Sequence, residues 1–181
     1  MCPPNLPDPS SWIQRFSHLI GDPVLDLACG RGRHLRWLLA HGHTLTGVDR
    51  DVSGLADIAG HARVEIVEAD LEAPDGGWPL GARTFATVIV ANYLWRPLLP
   101  HLVGAVADGG TLLYETFALG NATFGRPSNP DFLLRPDELA DAVAGELQIV
   151  AFEQGRVERP RDAIVQRICA VRGGAPVMLE A

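Results

Sequence analysis

Cysteine is scarce in this chain and scattered. The three residues, Cys2, Cys29 and Cys169, form an odd set at wide spacing, which fits neither a disulfide framework nor a zinc-ligand pattern. Reduced thiols of this kind suit a cytoplasmic protein. No apolar run approaches the roughly 20 residues that a membrane-spanning helix requires. The opening segment MCPPNLPDPS lacks the basic flank and apolar stretch of a secretory leader. Positive charge is short as well: 15 Lys and Arg against 22 Asp and Glu leave a formal net charge of −7. Such a surface repels a phosphate backbone, so extended nucleic-acid tracking is disfavoured, whereas small molecules meet no such penalty. The expectation is a soluble, cytoplasmic, single-domain enzyme or binding protein with no membrane partner. The oligomeric state is left open.

What is present is an alternation of short apolar runs with helical patterns. Four prolines within residues 1–10 mark an irregular arm. The spacing of Trp12, Phe16, Leu19 and Ile20 predicts a helix over 11–20, capped at Ser10-Ser11 and stopped by Gly21-Asp22-Pro23. Strands are predicted at 24–28, 44–48, 64–67, 85–91 and 111–116. Helices are predicted at 34–41, with Gly42 as C-terminal cap, at 53–61 behind Ser53, at 97–107, and from Pro136 to near Gly145. Residues 71–84 read as a loop. The long segment 117–135 carries turn signals throughout, and segments of that length are usually functional or mobile. Residues 147–153 and 163–171 read as a final antiparallel pair, and 173–181 as an unstructured tail. The pattern predicts one α/β domain over 1–172, with 1–22 as arm and first helix, built on a doubly wound sheet. Such sheets bind ligands at the carboxyl ends of their strands. Asp26, Asp49, Asp70 and Asn92 all fall there.

The densest signal is DLACGRGRH, from Asp26 to His34. A strand feeds a tight turn that opens a helix. Gly30 and Gly32 let the backbone approach a ligand, and amides at a helix start favour a carboxylate or phosphate. Alone, this loop is ambiguous between cofactors. A dinucleotide loop wants a third glycine three residues after the second, and Leu35 stands there. Asp26 is a poor neighbour for a pyrophosphate and a good one for an ammonium. Asp49 lies 17 residues after Gly32, where a carboxylate can accept from both hydroxyls of a ribose. Asp70 can accept from an adenine amino group, with the amide of Leu71 facing a ring nitrogen. Acidic residues on successive strand ends suit a cationic sulfonium joined to an adenosine better than a diphosphate.

With DLACGRGRH, GVDRD, EADLE, VIVANYLWRP and LVGAVADGGTLLYETF in place, the chain resembles the class I S-adenosylmethionine-dependent methyltransferases from about residue 11 to 172. Ala28 departs from the glycine common at that position. The stretch ETFALGNATFGRPSNPDFLLRPDEL is similar to small bacterial methyltransferases of the tellurite-resistance type. The resemblance implies a Rossmann-like, seven-stranded sheet with a C-terminal antiparallel hairpin. It implies S-adenosylmethionine held by Asp26, Ala28, Cys29, Gly30, Gly32, Arg33, Asp49, Arg50, Asp70, Leu71 and Asn92, and a small-molecule acceptor. Trp12, Tyr93, Arg96, Glu115 and Phe117 are the expected acceptor contacts, with Phe16 and the 117–135 segment completing the wall.

Several residues have plainer readings. Asp26 could cap the loop amides, Asp49 could start the next helix, and Asp70 could be a solvated loop acid. Asn92-Tyr93 is similar to the Asn-Pro-Pro-Tyr motif of amino-directed nucleic-acid methyltransferases, but the prolines are absent. His41 and His43 lack a third ligand, so no metal is expected. Cys29 reads as a small buried thiol. Arg31, Arg33 and Arg36 are either solvated helix charge or a carboxylate contact. A general base is needed only if the acceptor loses a proton early; Glu115, Tyr114 and His101 are the candidates. The rival functions are a nicotinamide-dependent reductase and a non-catalytic binding module.

Overall fold

The computed structural model describes residues 6–73, 77–174 and 176–179. Its centre is a seven-stranded sheet in the order β3-β2-β1-β4-β5-β7-β6. The strands are β1 (Val24–Leu27), β2 (Leu45–Asp49), β3 (Val64–Glu68), β4 (Phe85–Ala91), β5 (Val106–Phe117), β6 (Gln148–Val157) and β7 (Ala163–Val171). β1 to β5 run parallel. β7 lies antiparallel between β5 and β6. The predicted architecture is thus observed, terminal hairpin included. No helix among the described residues is long and apolar enough to cross a membrane.

Burial explains why the central strands are so apolar. Val24, Leu25 and Leu27 of β1 and Val88, Ile89 and Val90 of β4 are fully buried, as expected for parallel strands covered on both faces. One core layer gathers Leu25, Leu27, Val88 and Val90 under α3 (Leu99–Gly104) and α4 (Glu138–Val143). The other gathers Val24, Leu45, Ile89 and Leu113 under α1 (Ser11–Arg15) and α2 (Arg33–Ala40).

Four predicted helices are trimmed or replaced, each for a local reason. α1 starts where predicted, because the Ser10 hydroxyl accepts from the amides of Trp12 and Ile13, but it ends at Arg15 and a 3-10 turn over Ser17–Leu19 follows. The helix expected over 53–61 is reduced to a 3-10 turn at Ser53–Leu55. Its intended cap is engaged elsewhere: the Ser53 hydroxyl donates to Asp51 Oδ1 at 2.6 Å, and Gly54 and Gly60 weaken what remains. The 97–107 helix opens as a 3-10 turn at Arg96–Leu98 and stops at Gly104, because β5 already begins at Val106. The Asp108-Gly109-Gly110 turn is absorbed into β5 as an irregularity in its pairing with β4. A side chain at Gly110 would meet the carbonyl oxygens of Ala107, Ala86 and Phe85 at 2.8–3.1 Å. The last helix starts at Glu138 rather than Pro136, with Asp137 as its cap.

Candidate functional site

The glycine loop leaves β1 through Ala28 at φ 54° and reaches α2 through Gly30 at 54° and Gly32 at 72°. For a residue bearing a Cβ, such as Ala28, that conformation carries strain of the order of 1 kcal/mol, which the loop tolerates at the family's usual glycine. Gly32 has no substitute. A Cβ there would lie 2.5 Å from Leu55 Cδ2 and 2.8 Å from Arg36 Nη1. Arg36 is buried and structural: it donates to the carbonyls of Arg31, Gly32 and Gly54 and pairs with Asp57. It therefore fastens the loop to the 53–57 turn and is not a ligand contact.

Three acidic side chains stand at the ends of β1, β2 and just past β3. Asp26 is 1% exposed, and its Oδ2 has no hydrogen-bond partner among the described residues. Burial raises its pKa to about 7, with Arg33 pulling the other way and Asp49 adding to the rise. His34 Nδ1 lies 3.9 Å from that oxygen, and His34 Nε2 accepts from the Ser10 amide at 3.2 Å. Burial pushes His34 down to about 3, so the imidazole is neutral and the contact is not an ion pair. Asp49 accepts from the Gly30 amide at 2.7 Å through Oδ2 and from the Asp51 amide at 3.1 Å through Oδ1. Asp70 Oδ1 accepts from the Glu72 amide at 3.0 Å.

Two cavities open along these strand ends. The first, of about 230 Å³, is lined by Ala28, Asp49, Arg50, Ala69, Asp70, Leu71, Glu72 and Tyr93. It brings together five of the expected cofactor contacts and places Tyr93, expected against the acceptor, with them. The Tyr93 hydroxyl is buried with no hydrogen-bond partner among the described residues, and burial followed by the Glu72 carboxylate raises its pKa. Ala69 and Glu72 were not anticipated; they flank Asp70, and only the turn after β3 aims them inward.

The second cavity, of about 660 Å³, is bounded by the arm at Pro7–Ser11, by Arg33, Asn92 and Glu115–Phe117, and by the β6–β7 turn. Asn92 sits at φ 58°, a conformation asparagine tolerates better than most residues, and its amide donates to Glu115 O at 2.9 Å. Glu115 and Phe117, expected against the acceptor, thus share this cavity with Arg33 and Asn92, which were expected against the cofactor. The turn residues Arg159, Pro160 and Arg161 were missed. Their only sequence signal was the charge-dense run Glu158-Arg159-Pro160-Arg161-Asp162.

Other expected acceptor contacts lie elsewhere. Trp12 is 1% exposed; its Nε1 donates to Ile168 O at 3.1 Å, and Phe16 packs edge-on at 4.8 Å. Both belong to the core because α1 lies flat on the sheet. Arg96 grips Glu138 through Nε at 2.7 Å and Nη2 at 3.0 Å, and donates to the carbonyls of Asp131 and Leu133. It ties down the 117–135 segment and does not line either cavity. Of that segment only Phe117 does. Among the candidate bases, Tyr114 is buried and donates to Tyr93 O at 2.9 Å, and His101 stacks on Trp78 at 5.4 Å on α3. Of the three, Glu115 alone lines the second cavity. The Cys29 thiol is buried, with its pKa pushed up. His41 Nδ1 bonds Trp37 O and His43 pairs with Asp22.

This geometry suits an elongated ligand with an adenosine at one end and an ammonium at the other. Asp26 itself lines neither cavity, but its orphaned oxygen has room for a hydrogen-bond donor, and the first cavity offers the carboxylates of Asp49, Asp70 and Glu72. Residues 24–110 match the family model of the methyltransferase domain; they carry β1 to β4 and every acidic strand end just described. Over that span the chain is similar to the methyltransferase domain. Solved structures with the same fold include TehB from Haemophilus influenzae, at 16% identity and a TM-score of 0.68 over 90% of this chain. This chain spans 61% of the TehB chain. An S-adenosylmethionine-dependent methyltransferase from Mesorhizobium loti matches at 17% identity and a TM-score of 0.68, covering 90% of this chain and 96% of that one. The glycopeptide N-methyltransferase MtfA, in complex with (S)-adenosyl-L-homocysteine, matches at 21% identity and a TM-score of 0.62, covering 92% and 91%. No curated protein sequence matches the chain.

Proposed function

We propose that this protein transfers a methyl group from S-adenosylmethionine to a small-molecule acceptor. The observation that carries the reading is the arrangement of two cavities at one sheet edge, divided by consecutive residues: Tyr93 lines the first and Asn92 the second. A donor laid across Ala28 and Asn92 reaches both.

When bound, S-adenosylmethionine supplies an activated methyl group on a sulfonium. The remaining work is binding and positioning. Asp49 holds the ribose hydroxyls with the lone pairs left by Gly30 and Asp51. Asp70 and the Leu71 amide take the adenine edge, and Arg50 closes the cavity beside Asp49. Asp26 takes the ammonium, the loop amides beside Cys29, Gly30 and Gly32 lie along the ligand, and Arg33 takes the carboxylate. Asn92 orients the methionine end toward the second cavity. Glu115 is placed to accept the acceptor's proton. The arm and the β6–β7 turn exclude water from the acceptor. Leu35 stands at the third-glycine position, where a dinucleotide loop keeps a glycine for close packing of helix on strand, and this argues against a nicotinamide cofactor.

Calorimetry with S-adenosylmethionine, S-adenosylhomocysteine and NADH tests the reading. The first two are expected to bind and the third not. Binding of NADH alone overturns it. Turnover against thiols, amines, carboxylates and metalloid oxyanions then identifies the acceptor atom.

A further inference from the structure

The β6–β7 turn places positive charge at the mouth of the second cavity in a chain whose net charge is −7. Within Glu158-Arg159-Pro160-Arg161-Asp162, Asp162 is engaged by Arg156, with Nη2 to Oδ1 at 2.7 Å. Arg159 and Arg161 form no ion pair among the described residues. Arg161 is nonetheless held in place: its guanidinium lies 5.0 Å over the Phe117 ring, and Nη2 donates to Arg126 O at 3.2 Å. A guanidinium has five N–H donors, so most of its fork is left for a ligand. All 15 cationic side chains of the chain are arginine, the residue whose planar fork matches a carboxylate with two parallel hydrogen bonds.

The same cavity is lined by the apolar Phe117, Val157, Ala163 and Val165 and by the polar Asn92 and Glu115. A volume of about 660 Å³ lies in the range of sites for drug-sized organic ligands and far exceeds the needs of a bare oxyanion. The lining therefore offers cationic, apolar and polar groups together.

We propose that the methyl acceptor is an organic carboxylate. Its carboxylate sits on Arg159 and Arg161, its apolar body lies along Phe117 and Val165, and its nucleophile is turned to Asn92 and Glu115. This rests on the methyl-transfer reading of the same site. Arg167, also on the cavity wall, is taken by Glu153 at 2.6 Å and plays no part.

The test uses the full chain saturated with S-adenosylhomocysteine and calorimetric binding of matched probes. Each of four bodies (phenyl, hydroxyphenyl, indolyl, octyl) is offered as carboxylate, primary amide and amine, with inorganic phosphate as an anion without a body. At least one body is expected to bind about tenfold more tightly as the carboxylate than as amide or amine. The Arg159→Gln/Arg161→Gln double variant is expected to lose that preference. It should keep its melting temperature and its affinity for S-adenosylhomocysteine, because both side chains are exposed turn residues. The proposal is overturned if no body shows the preference, if the double variant retains it, or if inorganic phosphate binds as well as the best carboxylate. Failure of the wild-type chain to bind S-adenosylhomocysteine at all is a separate outcome, which brings down the methyl-transfer reading and the acceptor assignment with it.

Discussion

Leu35 and Gly47 fit together as knob and hole. Leu35 is fully buried in α2, and a Cβ on Gly47 of β2 would lie 2.6 Å from its Cδ1. In a dinucleotide loop the third glycine lets helix and strand approach. Here the glycine is on the strand and the side chain on the helix, so the close approach is kept while the loop tip stays filled. Gly47→Ala should therefore overpack this contact and destabilise the fold by about 1–3 kcal/mol. Thermal melts read the loss, and a Leu35→Ala partner change should recover part of it, as coupling between touching residues requires.

If Asp26 takes the ligand's ammonium as proposed, cofactor affinity should depend on pH. Its folded pKa of about 7 is raised from 3.8, so its protonated form favours the folded state. That contribution is complete below about pH 4 and is lost as pH rises toward 7. An ammonium ligand reverses the preference, because it needs the carboxylate. S-adenosylhomocysteine should bind more tightly at about pH 8 than at about pH 6, and binding near neutrality should release a proton, visible as a dependence of the calorimetric heat on buffer ionisation. Asp26→Asn should flatten both responses. A variant that keeps the full pH dependence would remove Asp26 from the ammonium site.

Asp49 carries both a structural and a binding load. Asp49→Ala removes acceptors from Gly30 and Asp51 as well as the ribose contact. Cofactor affinity should fall by about tenfold or more, since hydrogen bonds to a charged group contribute roughly 1.5–3 kcal/mol. Some stability should be lost too. Unchanged affinity in a folded variant would refute the ribose role.

Arg96 should behave as a clamp. Glu138 is 6% exposed, and Arg96 with Arg135 overcomes the burial that would raise its pKa, holding it at about 2 against 4.5. The stability from this depressed pKa is present above about pH 4.5 and lost as pH falls toward 2. Arg96→Met strands the carboxylate and should cost about 3 kcal/mol. It should also open the 117–135 segment to chymotrypsin at Phe132, between the two carbonyls that Arg96 holds, while Arg96→Lys retains part of the clamp. Equal protease resistance in Arg96→Met would show that the segment is held by other contacts.

The strands were legible because burial on two faces forces continuous apolar runs such as Phe85–Ala91. The loop and its acids were legible because a tight turn before a helix needs glycine, and strand ends are where such sheets bind ligands. What was not legible depended on which way a side chain faces. Trp12, Tyr114 and Arg96 have the chemistry of site residues and chain neighbours in the site, yet α1 packing, a hydrogen bond to Tyr93 and the pairing with Glu138 draw them inward. The 53–61 helix was misread because its cap serine has a nearer partner in Asp51. Arg159 and Arg161 lie far from the loop in sequence and join it only through strand pairing.

The reversed direction of β7 has a further consequence. An antiparallel last pair brings its connecting turn to the same edge as the ends of the parallel strands, so a five-residue turn (158–162) reaches an edge otherwise served by long crossovers. All of the first cavity's lining except Tyr93 lies before Asn92, and most of the second cavity's lies after it or in the arm. The two halves of the edge can therefore diverge separately: changes in one short turn can retune what the second cavity admits without disturbing the ladder or the glycine loop.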